Sequence, residues 1–190
     1  MLKQIAKYMT PLIQAKVSEI NKHLGILCLT EDPSNLLMWA HYADNHRGFA
    51  MGIDDAHPVW NERKSSEDDL RHLRKVKYSS LRPSRPMAEY DFEAFILAKG
   101  DDWGYEKEWR IGKSLDDAAK RIPSSPFDIC LFPLPSTAIR RIYVGARASP
   151  ALRATLRSLS LQPRYQHLEM LQYQPHESQY GLVAHPFTGI

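Results

Sequence analysis

The chain has 190 residues, 43% of them hydrophobic and 25% charged, with a formal net charge of +3. These values exclude disordered and fibrous classes and suffice for one domain with its own core. The pI near 8.8 is only mildly basic, and the densest basic runs, "RHLRKVK" (71–77) and "IRRIYVGAR" (139–147), are short. Each reads as a solvated face, which leaves nucleic acid the weakest partner class. The two cysteines, Cys28 and Cys130, lie in the apolar runs "ILCL" and "DICLF" and read as small buried hydrophobes. There is no secretory leader pattern in the first residues and no apolar window of the roughly 18 residues a membrane span needs. The expectation is a reduced, cytoplasmic protein without membrane contact.

In chain order, Thr10–Pro11 opens a helix whose apolar positions Ile13, Val17, Ile20 and Leu24 recur at helical spacing until Gly25 stops it. Residues 26–30, "ILCLT", read as a buried strand. Ser34 is placed to cap a helix through "NLLMWAHYAD", and "FAMGID" (49–54) reads as a strand. Residues 55–74 form a polar loop with a short helix near 67–73, and "VKYS" is a short strand. "LRPSRP" is a stiff connector. "MAEYDFEAFILAKG" (87–100) is an amphipathic helix, with Phe92, Phe95 and Ile96 on one side and Gly100 closing it. "RRIYVGA" is a strand, "SPALRATLRSLS" a helix capped by Ser149, and "RYQHLEMLQY" a strand. No repeat is present. The fold class is α+β, with a mixed or mostly antiparallel sheet and packed helices. It is one domain over 1–190, in which residues 1–24 are a helical segment and 25–190 the core.

Two stretches carry chemistry. "GDDWGYEKEWRIGK" (100–113) sets Glu106, Glu108 and Arg110 at alternate positions between aromatics. As a strand it places the three on one face, opposite Tyr105, Lys107, Trp109 and Ile111, with the two carboxylates about 7 Å apart. Such a pair can divide base and acid roles because each carboxylate moves the other's pKa. Arg110 could clamp an anion or neutralise one Glu. The competing reading is a solvated strand with ordinary ion pairs. In "NLLMWAHYADNHRG" (35–48), His41 beside Trp39 and Tyr42 is a candidate acid, base or ligand donor. His46 belongs to the turn before Gly48 and could face a pocket mouth. A zinc site from His41, His46 and a cysteine lacks the paired spacing that metal sites show.

Together the two stretches resemble a bacterial family of uncharacterised proteins, the domain-of-unknown-function family 2971. The shared residues are Leu37, Met38, Trp39, His41, Tyr42, Ala43, His46 and Gly48, then Lys99, Trp103, Tyr105, Glu106, Glu108, Trp109 and Arg110. Residues 139–156 are similar to the family's later strand-then-helix segment. The resemblance implies further strands ahead of the first helix, which this sequence lacks. The expectation is therefore an N-terminally shortened member whose sheet shows an unpaired edge or an apolar patch and which self-associates or takes a partner protein. The motif order is similar to ADP-ribosyltransferase folds, a fold-level analogy that implies a late catalytic Glu. The favoured function on these grounds is a site for a nucleotide- or NAD-like ligand. Glu108 is its catalytic carboxylate with Glu106 beside it, Arg110 is an anion clamp, and His41, Tyr42 and His46 are ligand-binding. The alternative is a non-catalytic binding or assembly module in which the same residues form a structural polar network. What separates the two is whether His41 and Glu108 converge on an open pocket.

Overall fold

The computed structural model describes residues 15, 17–81 and 96–188. Its strands are β1 (Leu24–Thr30), β2 (Phe49–Ile53), β3 (Arg74–Lys75), β4 (Lys77–Ser79), β5 (Ala98–Gly100), β6 (Glu108–Ser114), β7 (Lys120–Ile122), β8 (Ile129–Leu131), β9 (Ile139–Val144), β10 (Glu169–Pro175) and β11 (Leu182–Pro186). The α-helices α1 (Leu36–Tyr42) and α2 (Pro150–Ser160) accompany them. The strands form an antiparallel sheet β1-β6-β3, a four-stranded sheet β11-β10-β9-β2, and the pairs β4-β5 and β7-β8. Among the described residues only β9-β10 and β4-β5 pair in parallel, so the fold is α+β with mostly antiparallel sheets. Among the described residues no helix is long and apolar enough to cross a membrane.

The four-stranded sheet is covered on both faces, as its alternation requires. Ile142 and Val144 of β9 face α2 and pack with Ile139, Ala148 and Leu156, flanked by Leu152 and Met170. Tyr143, between them, points to the other face. There it joins Tyr173 of β10 and Trp39 of α1, flanked by Ala43, Ala50 and Leu171. Tyr143 and Tyr173 stack at 5.6 Å, and Trp39 meets Tyr173 edge-on at 5.5 Å. Such pairs add to the energy of burial alone. Helix α2 begins as expected, with Pro150 in its first turn and Ser149 Oγ accepting from Leu152 N at 3.2 Å.

Helix α1 leaves its C-terminus through three consecutive left-handed residues, Asp44 (φ 47°), Asn45 (φ 51°) and His46 (φ 67°). These residue types tolerate that region better than most. The turn is locked from outside. Gly145 N donates to Gly48 O at 3.0 Å and Arg147 N to His46 O at 2.9 Å. Buried Gln172 in turn holds the Gly145 carbonyl, donating from Nε2 at 2.7 Å.

Several local expectations need correction. Residues 17–23 are helical, but the strand already includes Leu24 and Gly25, because all seven residues of β1 pair with β6. Asn35, not Ser34, caps α1, its Oδ1 accepting from Leu37 N at 2.9 Å and Met38 N at 3.2 Å. Residues 67–73 form no helix. Asp68 instead draws the backbone N–H groups of Lys64, Leu70 and Arg71 onto its carboxylate, at 3.0, 3.1 and 3.2 Å, an alternative that short polar side chains offer to helix hydrogen bonds. The helix expected over 87–100 falls largely outside the described residues. Residues 96–97 are helical, but Ala98–Gly100 is strand β5, extended by its parallel pairing with β4. Cys28 is exposed and Cys130 partly so, and both are free thiols. The strands carrying them, β1 and β8, lie at sheet edges rather than in the core.

Candidate functional site

Glu106 and Glu108 do not share a strand face. Residues Asp101–Glu106 wind into a 3-10 helix, and Lys107 turns the chain through the left-handed region at φ 45° before β6 starts at Glu108. Hydrogen bonds from neighbouring elements hold this kink. Asn35 Nδ2 donates to Tyr105 O at 3.1 Å, Thr30 Oγ1 to Glu106 O at 2.7 Å, and Glu108 N to Tyr78 Oη at 2.8 Å. Val76 N donates to Glu108 O at 2.9 Å. Local periodicity cannot foresee a fold-back fastened by β1, β4 and the α1 cap at once. Because the kink is left-handed, Lys107→Val should cost about 2 kcal/mol in urea unfolding, as a β-branched residue is strained there. Lys107→Gly should be neutral or slightly stabilising despite losing the exposed 3.2 Å pair to Asp32. Equal effects of the two changes would rule out the strain.

The kink brings the two carboxylates together by another route. Lys99 of β5 donates from Nζ to Glu106 Oε2 and, at 2.9 Å, to Glu108 Oε2. Arg110, two residues along β6, grips Glu108 as a fork, Nε to Oε1 at 2.8 Å and Nη2 to Oε2 at 3.0 Å, while Nη1 donates to Ile96 O. Tyr42 donates from its hydroxyl to Glu106 Oε1 at 2.9 Å. Two carboxylates thus meet one ammonium and one guanidinium, an electrically neutral set. Glu106 is 3% exposed and Glu108 5%. Burial by itself would raise the Glu108 pKa. Hydrogen bonds from Arg110, Cys28 and Lys99 outweigh it and hold the carboxyl down to about 2. Burial likewise opposes the charged Lys99, but its two carboxylates win and raise its pKa. On β1, Cys28 is exposed as a residue, but partial desolvation of its thiol and then Glu108 push it up to about 11, which leaves it protonated at neutral pH.

Around this set the surface is aromatic. Tyr42 is 64% exposed and Trp103 45%. Lys99 Nζ lies 5.0 Å from the centre of the Trp103 ring, and Trp103 leans on Tyr105 with ring centres 6.1 Å apart. Donating to the Glu106 carboxylate raises the Tyr42 pKa.

The other expected site residues divide. His41 is exposed and meets Tyr42 edge-on at 6.3 Å. His46 lies in the turn beyond α1, where its ring stacks on Trp39 at 6.3 Å. Desolvation, then Arg147, lowers its pKa. The structure therefore joins Glu106, Glu108, Arg110 and Tyr42, leaves His41 at the rim and places His46 elsewhere. Among the described residues His41 is exposed, Glu108 is 5% exposed, and no hydrogen bond joins the two. Lys99 is the residue the sequence reading left without a role. Charge balance was the available signal, because two clustered acids need two cations if buried.

The class these features define is an α+β protein with a neutral, buried ion-pair network under an aromatic rim. Residues 38–111 match the family model described as Protein of unknown function (DUF2971), consistent with the chain being a member of that family. The matched span holds α1 from Met38 on, the Lys99 strand and the start of β6, and so Tyr42, Lys99, Glu106, Glu108 and Arg110. No curated protein and no solved structure matches the chain.

Proposed function

We propose that the chain is a binding module for a nucleotide-like ligand that stacks on Tyr42 and Trp103, with the Lys99–Glu106–Glu108–Arg110 network as a rigid support beneath. The observation that carries this reading is the contrast in exposure between the two buried carboxylates and the two rings beside them. A carboxylate gripped by a guanidinium fork and an ammonium stays ionised at neutral pH and is a poor proton carrier. Rings held next to a fixed cation form a surface on which a flat base can stack, worth about 1–3 kcal/mol per base. Arg110 is committed to Glu108 and serves as an internal brace, not as an anion clamp. His41 extends the rim as a hydrogen-bonding group.

A thermal-shift titration with AMP, ATP and NAD tests this. A bound nucleotide at a hundred times its Kd adds about 2.7 kcal/mol of stability, which raises the Tm of a chain this size by several degrees. Trp103→Ala should leave the unliganded Tm within about 1 °C, as a half-exposed side chain contributes little, and should abolish the shift. No response to any of the three, or an undiminished response in Trp103→Ala, would sink the reading.

A second reading is favoured by the Tyr42–Glu106 hydrogen bond. Rotation of one exposed ring would uncover Glu106, so an ADP-ribosyltransferase-like reaction on NAD would run through Glu106 and not Glu108. Nicotinamide release from NAD that disappears in Glu106→Gln would select it.

A further inference from the structure

A cavity of about 240 Å³ lies between α2 and the four-stranded sheet, lined by Arg153, Gln172, Gln174, His185, Pro186 and Phe187. The register explains its walls. Met170 packs against the α2 core, so Gln172 and Gln174, two and four residues on, face the same side. His185 pairs with Gln172 across β10-β11, and Phe187 also packs on the α2 core. Gln172 pairs with Val144, the last residue of β9, on the parallel side. The cavity thus stands at the carboxyl ends of two parallel strands joined through a helix, the place where such units hold ligands. It is on the α2 side of the sheet, whereas α1, which carries Tyr42, packs on the other. One polar atom in its wall is unsatisfied. Gln172 is 6% exposed. Its Nε2 donates to Gly145 O at 2.7 Å, Tyr173 O at 3.2 Å and Val144 O at 3.5 Å. These bonds brace the turn at Gly145 and account for Nε2 alone. The buried Oε1 has no hydrogen-bond partner among the described residues, a state that is costly and rare in native proteins.

The walls define the chemistry of an occupant. Oε1 of Gln172 calls for an O–H or N–H donor. Arg153, His185 and the Gln174 amide offer donors to an acceptor, and the guanidinium favours an anionic one. Arg153 Nε donates to Ala148 O at 3.2 Å, which anchors that guanidinium at the cavity. Pro186 and Phe187 supply an apolar wall for a short carbon chain. The volume is below the roughly 300–1,000 Å³ of sites that hold drug-sized molecules, so the occupant is small. We propose that the cavity binds a small hydroxy acid, with its hydroxyl on the carbon next to the carboxylate. The hydroxyl donates to Gln172 Oε1 and the carboxylate accepts from Arg153 and His185. The terminal torsion of a glutamine is soft, so Oε1 turns to the cavity while Nε2 keeps its short bond to Gly145 O. The bound acid ties α2 to the β10-β11 hairpin.

NMR of the isotope-labelled full chain, titrated with lactate, propionate and inorganic phosphate to about 50 mM each, is the test. Lactate should shift the side-chain NH2 signal of Gln172 and the backbone amides of His185 and Phe187 in a saturable way. Propionate has the carboxylate without the hydroxyl and should bind about tenfold more weakly, the loss of one hydrogen bond to a buried acceptor. Arg153→Gln should abolish the lactate response. If that variant does not fold, His185→Leu decides, because His185 is exposed and its replacement should leave the melting temperature within about 1 °C. Lactate binding should fall about tenfold in it. A Gln172 signal that does not respond to lactate overturns the proposal. So does propionate binding as tightly as lactate, phosphate binding more tightly than lactate, or undiminished lactate binding in His185→Leu.

Discussion

Glu108→Gln is expected to lower the melting temperature by about 10 °C. The amide has nearly the shape of the carboxylate but offers one acceptor oxygen and sets an NH2 group against donors. Both Glu108 oxygens are now taken, Oε1 by Arg110 and Oε2 by Arg110 and Lys99. The change strands a guanidinium that is 16% exposed and leaves Lys99 with half its counter-charge. Breaking one side of a buried pair in this way costs about 3–5 kcal/mol, and for a domain of this size each kcal/mol moves Tm by about 2–4 °C. The same group makes stability depend on acid. Its folded pKa of about 2 lies below the unfolded value of 4.5. Between those limits the unfolded chain binds more protons, so stability falls as pH falls. The contribution is complete above about pH 4.5, worth about 3 kcal/mol, and is lost as pH drops through 2. Urea unfolding at pH 7, 4 and 2.5 should show this slope in the unaltered protein and a weaker one in Glu108→Gln. An unchanged melting temperature would show that the carboxylate does not hold the network and would return it to candidacy for chemistry.

Gly145→Ala is expected to be comparably damaging for a steric reason. A Cβ at position 145 would stand 2.2 Å from His46 O and 2.8 Å from Gly48 O. Both are backbone atoms of the left-handed turn after α1, so no side chain can swing away to make room. The hydrogen bonds that tie Gly145 and Arg147 to this turn, and Gln172 to the Gly145 carbonyl, hold the two segments in contact. Overpacking typically costs 1–3 kcal/mol, and a clash with locked backbone belongs at or above the upper figure, about 3 kcal/mol. Tm should fall by about 6–12 °C. Because the turn positions α1, and α1 carries Tyr42, the nucleotide response should weaken in parallel. A variant with unaltered Tm would mean that β9 and the turn are free to separate. Hydrogen exchange at the amides of His46 and Gly145 would detect such opening directly.

How much of this was legible beforehand depends on the reach of each interaction. Helix α2 was readable to the residue, because Ser149, Pro150 and the spacing of Leu152 and Leu156 act within a few positions of one another. Strands β2 and β9 were readable from their short apolar runs. The nomination of residues 100–113 and 35–48 also survives as proximity, since Tyr42, Glu106, Glu108 and Arg110 do meet. The geometry assigned to them does not survive. A strand from Tyr105 to Ile111 satisfies local preference, but the chain folds back at Lys107 because Asn35, Thr30 and Tyr78, from three other segments, claim its backbone groups.

The amino-acid sequence by itself determined the α+β class, the family resemblance and the acids, bases and rings from which a site could be built, because composition, periodicity and motif are properties of neighbouring residues. Tertiary structure alone decided what those residues do. It set Lys99 between the two carboxylates, buried them where their charges must be paired, left Tyr42 and Trp103 exposed, and stacked His46 on Trp39. Burial and counter-charge depend on segments distant in the chain, and they fix whether a carboxylate is a support or a reagent.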